Sequence, residues 1–129
     1  MTKKSNFKVG EISDYIVIWL REYAQKAKVE GFVVGISGGI DSAVTSSLCA
    51  QTGLKTLCVE MPIHQHISQV NRGKEHIEQL MERFPNVEHA IVDLTPVFET
   101  FKNNVPEIEN QDKLNLSLAN TRARLRMTT

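Results

Sequence analysis

The apolar run Phe32-Val33-Val34-Gly35-Ile36 passes directly into Ser37-Gly38-Gly39-Ile40-Asp41-Ser42, and a helix-like segment follows to Gln51. A run this short reads as a buried strand. The glycine pair behind it lets the backbone turn sharply through positive φ and approach a ligand closely. A strand that feeds a helix through so tight a turn sets the pattern for the chain. The elements expected around it are a helix over about 10–28, the strand Phe32–Ile36, a helix from Asp41 to Gln51 ended by Gly53, and a strand from Thr56 to Met61 closed by Pro62. A helix from Ile67 to Phe84, a strand from Ala90 to Leu94, a short helix after Pro96, a polar loop over 103–111 and a helix from Leu114 to Met127 complete the order. Strands alternating with helices argue for a parallel α/β sheet with right-handed crossovers. The three strands order most simply as 3-2-1, which leaves Phe32–Ile36 at an edge.

The first helix rests on Ile12, Tyr15, Ile16, Trp19, Leu20, Tyr23, Ala24 and Ala27, which recur at helical spacing. Tyr15, Trp19 and Tyr23 are therefore expected in the core. The 129 residues make one domain of ordinary size. With 41% hydrophobic residues the chain is not disordered, and 15 Lys+Arg against 15 Asp+Glu gives no charge signal for nucleic acid or membrane. The longest apolar run, Ile16 to Leu20, is too short to span a bilayer, and no secretory signal follows the basic start. Cys49 and Cys58 are not spaced as a metal motif and read as small buried hydrophobes in a reducing cytoplasm.

The chemistry lies in Gly35 through Ser42. Free N–H groups of the loop and of the helix start point outward together, and the helix dipole adds partial positive charge. Ser37 and Ser42 add hydroxyl donors. This is a phosphate or pyrophosphate site at the C-terminal edge of a parallel sheet. No lysine follows the glycines, so it is not a Walker A loop, and the spacing is not G-x-G-x-x-G. Asp41 would repel a bare polyphosphate, and a bound Mg²⁺ between them reconciles the two. A plain tight turn with Asp41 or Ser42 as helix cap is the alternative for this string. His64 and His66 lack an evident third ligand and read as a surface loop.

Ser37-Gly38-Gly39-Ile40-Asp41-Ser42 resembles the pyrophosphate loop of the N-type ATP pyrophosphatases, which cleave ATP to AMP and pyrophosphate. Asn120-Thr121-Arg122-Ala123-Arg124-Leu125-Arg126-Met127 is similar to the N-x-x-A-R-x-R-M segment of ammonia-dependent NAD synthetases. The resemblance runs along essentially the whole chain and covers the N-terminal half of that family's catalytic domain. It implies a doubly wound, Rossmann-like sheet of the adenine nucleotide alpha hydrolase-like kind, with residues 1–129 as the N-terminal portion of a single domain.

The implied reaction is amidation of deamido-NAD to NAD by ammonia. The nicotinate carboxylate attacks the α-phosphate of ATP, pyrophosphate leaves, and ammonia displaces AMP from the adenylate. By the resemblance, Gly35, Ile36, Ser37, Gly38, Gly39, Ile40, Asp41 and Ser42 hold ATP. Asp41 holds Mg²⁺, Glu60 and Met61 flank the adenine, and Arg124 contacts deamido-NAD. Arg122 and Arg126 share a helix face from which Arg124 points away, so one arginine is assigned to the substrate. No residue of this portion is expected to be catalytic in itself. The family's later segments are not in the sequence, and the stretch after Pro62 lacks acidic residues found there in some members. The chain is therefore expected to be a fragment of a cytoplasmic homodimer, inactive alone, with a further parallel strand returning beside Phe32–Ile36. Another ATP pyrophosphatase such as a GMP synthetase, or a stand-alone ATP-binding module, stays open as an alternative.

Overall fold

A computed structural model describes residues 8–129. The order is α1 (Val9–Ala27), β1 (Gly31–Ile36), α2 (Ile40–Gln51), β2 (Lys55–Glu60), α3 (Ile67–Arg83), β3 (Val87–Ile91), α4 (Thr95–Asn104) and α5 (Gln111–Thr128). The three strands are parallel in the order β1-β2-β3, so β1 is an edge strand. The element order and this strand order agree with the sequence reading. Gly53 sits at φ 78° just past α2, where a left-handed residue stops the helix.

The core lies between the sheet and the helices α2 and α3. Val34 and Ile36 from β1, Cys58 from β2 and Val87 from β3 meet Cys49 and Ala50 from α2 and Ile77 and Leu80 from α3. Both cysteines are buried and free. Burial pushes the Cys49 thiol up, and burial together with nearby Cys49 pushes Cys58 up to about 11, so both behave as inert apolar groups. A smaller cluster of Ile63, Leu94 and Phe98, backed by Met61, Leu118 and Leu125, fastens α4 and α5 to the end of the sheet.

Two expectations are corrected. The third strand is Val87–Ile91, three residues earlier than the apolar run Ala90–Leu94 implied. Parallel pairing decides this. Thr56 donates to the Asn86 carbonyl, and the register runs from Thr56↔Val87 to Glu60↔Ile91, where β2 ends. Val92 and Leu94 donate to the Glu60 and Pro62 carbonyls, while Asp93 turns the chain into α4 by accepting from the Thr95 N–H.

The second correction concerns α1. Tyr15, Trp19 and Tyr23 are not core residues; they are 70, 50 and 58% exposed. The helix buries only Val17 and Ala24 and packs Leu20 against the core. Its apolar face is wider than the contact with α2. The line at i, i+4 and i+8 lies beyond that contact, where Trp19 and Tyr23 stack on each other at 5.3 Å.

Candidate functional site: the β1–α2 loop and its cavities

The loop is shaped by contacts that a side chain on Gly38 would prevent. Gly38 has φ +84°, and a Cβ there would lie 2.3 Å from the Gln69 carbonyl oxygen of α3. Behind it, Gly73 lets α3 come close: a Cβ on Gly73 would stand 3.3 Å from Ile36 and 3.6 Å from the Gly38 nitrogen. Arg72 donates from Nε to the Gly38 carbonyl at 3.4 Å. The turn between β1 and α2 is thus held by α3, an element far along the chain.

Serine hydroxyls tie the loop internally. Ser42 Oγ accepts from the Ser37 N–H at 3.1 Å, and the two hydroxyls are 3.2 Å apart. Ser37 Oγ accepts from the Gly39 N–H at 3.2 Å, and Ser42 Oγ donates to the Gly39 carbonyl at 3.3 Å. The helix cap is Gly39, neither Asp41 nor Ser42, and no side chain caps the first turn of α2. The leading N–H groups of a helix have no intrahelical partners, so this end presents donors and positive dipole to an anion. Asp41 is exposed in that first turn.

The first turn is also braced from inside. Ser46, fully buried, donates to the Ser42 carbonyl at 2.7 Å and sits 2.8 Å from His76 Nε2. Burial lowers the His76 pKa, which keeps the ring neutral and able to serve this bond.

A cavity of about 370 Å³ opens beside the loop, walled by Ile36, Ser37, Met61, Ala123, Arg126 and Met127. A second, of about 300 Å³, borders Ser37, Glu60, Gln65 and Lys74. Glu60 is nearly buried and accepts from His89 at 2.7 Å, which satisfies a carboxylate at the end of a central strand. Sequence reasoning missed this pair; a carboxylate closing an apolar strand was the available signal.

The arginines of α5 separate. Arg126 lines the first cavity and donates from Nε to the Met61 carbonyl at 3.0 Å. Burial and the nearby Arg122 guanidinium lower its pKa, still leaving it charged. Arg122 lies over the Phe98 ring at 5.5 Å. Arg124 is exposed and is not part of the cavity wall. The structure brings Gly35 through Ser42 together at one edge and places Arg124 outside that group. His64 and His66 lie on the surface, as expected: His64 meets Glu99, and His66 caps α3 by accepting from the Ser68 N–H. Among the described residues no group of three or more His, Cys, Asp or Glu is placed to hold a metal, and no helix is long and apolar enough to cross a membrane.

Comparison with known proteins gives the family and the fold. The family model described as NAD synthase matches residues 12–129. A relative from Mesoplasma florum, named an NH(3)-dependent NAD(+) synthetase, is 35% identical over 92% of this chain and 47% of its own. One of the same name from Carboxydothermus hydrogenoformans is 31% identical over 92% and 47%. The chain therefore spans about half the length of the curated relatives it matches. Among solved structures, one titled NMN synthetase from Francisella tularensis superposes with a TM-score of 0.80 at 33% identity, covering 95% of this chain and 48% of that one. An NH3-dependent NAD synthetase from Campylobacter jejuni, at 24% identity and a TM-score of 0.79, shares the fold. With the loop, the open parallel sheet and the arginine helix all in place, the chain belongs to the NAD synthase family.

Proposed function

We propose that the chain forms the ATP-binding portion of a ligase that converts deamido-NAD to NAD with ammonia, through an adenylated nicotinate and release of AMP and pyrophosphate. The observation that carries this reading is the uncapped start of α2: Gly38, Gly39, Ile40 and Ser42 line a cavity of about 190 Å³, and Ser37 of the same loop borders the neighbouring cavity of about 370 Å³. An anion held there meets N–H donors and a helix dipole. Charge growing on a leaving pyrophosphate is stabilised by the same groups, and stabilisation that increases along the reaction lowers its barrier.

The residues present fit a magnesium ion. Asp41 offers an exposed carboxylate at the anion end of the loop, and Mg²⁺ takes one or two carboxylates together with phosphate oxygens and water. Bound there, the ion would neutralise phosphate charge. The chain's own part is to hold the phosphates by Gly35, Ile36, Ser37, Gly38, Gly39, Ile40, Asp41 and Ser42 and to place the nucleoside against Met61. Arg124, exposed on α5, is assigned to the anionic dinucleotide that approaches from solvent. The exposed stripe of Tyr15, Trp19 and Tyr23 supports a homodimer. A cytoplasmic setting accords with the free thiols.

The test is formation of NAD, AMP and pyrophosphate in equal amounts from deamido-NAD, ATP and ammonia by the enzyme that carries this chain. Arg124→Ala is expected to impair deamido-NAD use by roughly 1.5–3 kcal/mol while ATP affinity holds. Unchanged deamido-NAD kinetics rejects the arginine assignment, and no AMP release rejects the reaction. A second reading takes a mononucleotide substrate, because the Francisella tularensis protein of 33% identity is titled an NMN synthetase. The same assay with nicotinate mononucleotide in place of deamido-NAD separates the two.

A further inference from the structure

We infer that Gln65 reads the base of the nucleotide and that His64, through Glu99, holds Gln65 in place. This inference rests on the reading of the loop as an ATP site. Gln65 borders both cavities that flank Ser37. With phosphates in the cavity lined by Gly38, Gly39 and Ser42, a nucleoside that extends past Ser37 enters one of these spaces. The larger has apolar wall from Ile36, Met61, Ala123 and Met127, suited to the faces of a flat base. Its polar side chains beyond the loop are Gln65 and Arg126, and Arg126 already spends Nε on the Met61 carbonyl.

A carboxamide presents one acceptor and one donor side by side. Adenine offers the complement, an amine donor at N6 next to the N7 acceptor, whereas hypoxanthine and guanine present two acceptors, O6 and N7. Meeting the base on its N6/N7 edge, and not on the N1 edge where hypoxanthine also offers a donor beside an acceptor, Gln65 favours ATP over ITP and GTP.

The residues on either side of Gln65 are turned to other partners. His66 is bonded to Ser68. His64 has left-handed backbone, φ 47°, which is unfavourable for a residue with a Cβ. It is held there by contacts with α4: its N–H donates to Thr95 Oγ1 at 3.4 Å, its ring nitrogen lies 2.5 Å from Glu99 Oε1, and the ring sits edge-on to Phe98 at 6.2 Å. With His64 fixed, the next residue faces the cavities. His64 and Glu99 are positioning residues.

The experiment is calorimetry on the enzyme that carries this chain, with Mg²⁺, titrating pyrophosphate, ATP and ITP. The wild-type enzyme is expected to bind ATP about 10-fold or more above ITP, within the discrimination that a bidentate amide–adenine pair supplies. Gln65→Ala should bring ATP down to the ITP level and leave ITP and pyrophosphate unchanged. Glu99→Ala should lose the same selectivity, and Glu99→Gln, which keeps an oxygen acceptor for His64, should retain it. An ATP/ITP ratio that survives Gln65→Ala, or a wild-type enzyme that does not discriminate, overturns the role of Gln65. Selectivity intact in Glu99→Ala overturns the role of His64 and Glu99. Absence of pyrophosphate binding in the wild-type enzyme overturns the ATP-site reading itself, and this inference with it.

Discussion

Two helices of this chain start in nearly the same way by sequence and end up with opposite tasks. Both α2 and α5 have an acidic residue in the first turn, Asp41 and Asp112. At α5 the preceding residue, Asn110, turns its side chain inward and accepts from the Lys113 N–H at 3.1 Å. That end is closed, and Asp112 does no more there than complement the dipole. At α2 the preceding residue is Gly39, which has nothing to offer, and the nearby serine hydroxyls bond to the loop instead of the helix start. The helix that lacks its own cap is the one whose start is available to a ligand. An acidic first turn therefore says little by itself, and neither does an open cap, which α1 has as well; at α2 the open cap lies in a glycine–serine loop that lines a cavity.

The largest expected effect comes from closing the open end. Gly38→Ala should abolish pyrophosphate binding, since the new Cβ would meet the Gln69 carbonyl and the left-handed backbone alone costs about 1–2 kcal/mol. Gly53→Ala is the control. It has the same sign of φ, +78°, but nothing within 4 Å, so it should lower stability by about 1 kcal/mol and spare binding. Calorimetry and thermal melts on both variants decide the matter, and loss of binding in Gly53→Ala would remove the special standing of the loop.

Next, Asp41→Asn should weaken pyrophosphate binding strongly with Mg²⁺ and little or not at all without it, whereas Asp112→Asn should do neither. Equal losses with and without the ion would leave Asp41 as a dipole partner like Asp112. At the closed end, Asn110→Ala should cost about 1 kcal/mol of stability and leave ligand affinity alone, which a urea melt beside a titration would show.

The smallest effect concerns the brace behind α2. Burial lowers the His76 pKa below its ordinary 6.5, so in acid the unfolded chain binds a proton that the folded chain resists. Stability must then rise with pH across the interval between the lowered value and 6.5, and fall as acid is added. His76→Gln should flatten that part of the Tm profile; an unchanged profile would show that the ring titrates freely.

Much of this arrangement was legible from local pattern. Val34 and Ile36 alternate with exposed neighbours, and the glycines and serines that follow can form one kind of turn between a strand and a helix, so the loop and the strand order emerged from spacing. The misreadings share a cause. Tyr15, Trp19 and Tyr23 have helical periodicity, but periodicity shows only which residues share a face and not how wide a neighbour covers that face. Ala90 to Leu94 has the composition of a strand, yet the ladder begins at Val87 because β2 sets the register.

The sequence by itself determined the alternation of strands and helices, a positive φ within the Gly38-Gly39 pair and the donors gathered at the start of α2, because each depends on residues adjacent in the chain. Tertiary structure decided the rest. Which arginine of α5 faces the cavity depends on where the Met61 carbonyl lies; Arg126 finds it from 65 residues away, while Arg124 is left in solvent. Glu60 is stable in a near-buried position because β3 brings His89, two residues before its register partner Ile91, within bonding distance, and Gln65 reaches the cavities because α4 holds His64. A buried charge or a left-handed histidine is unfavourable alone. Each persists through a partner that only the fold brings within bonding distance.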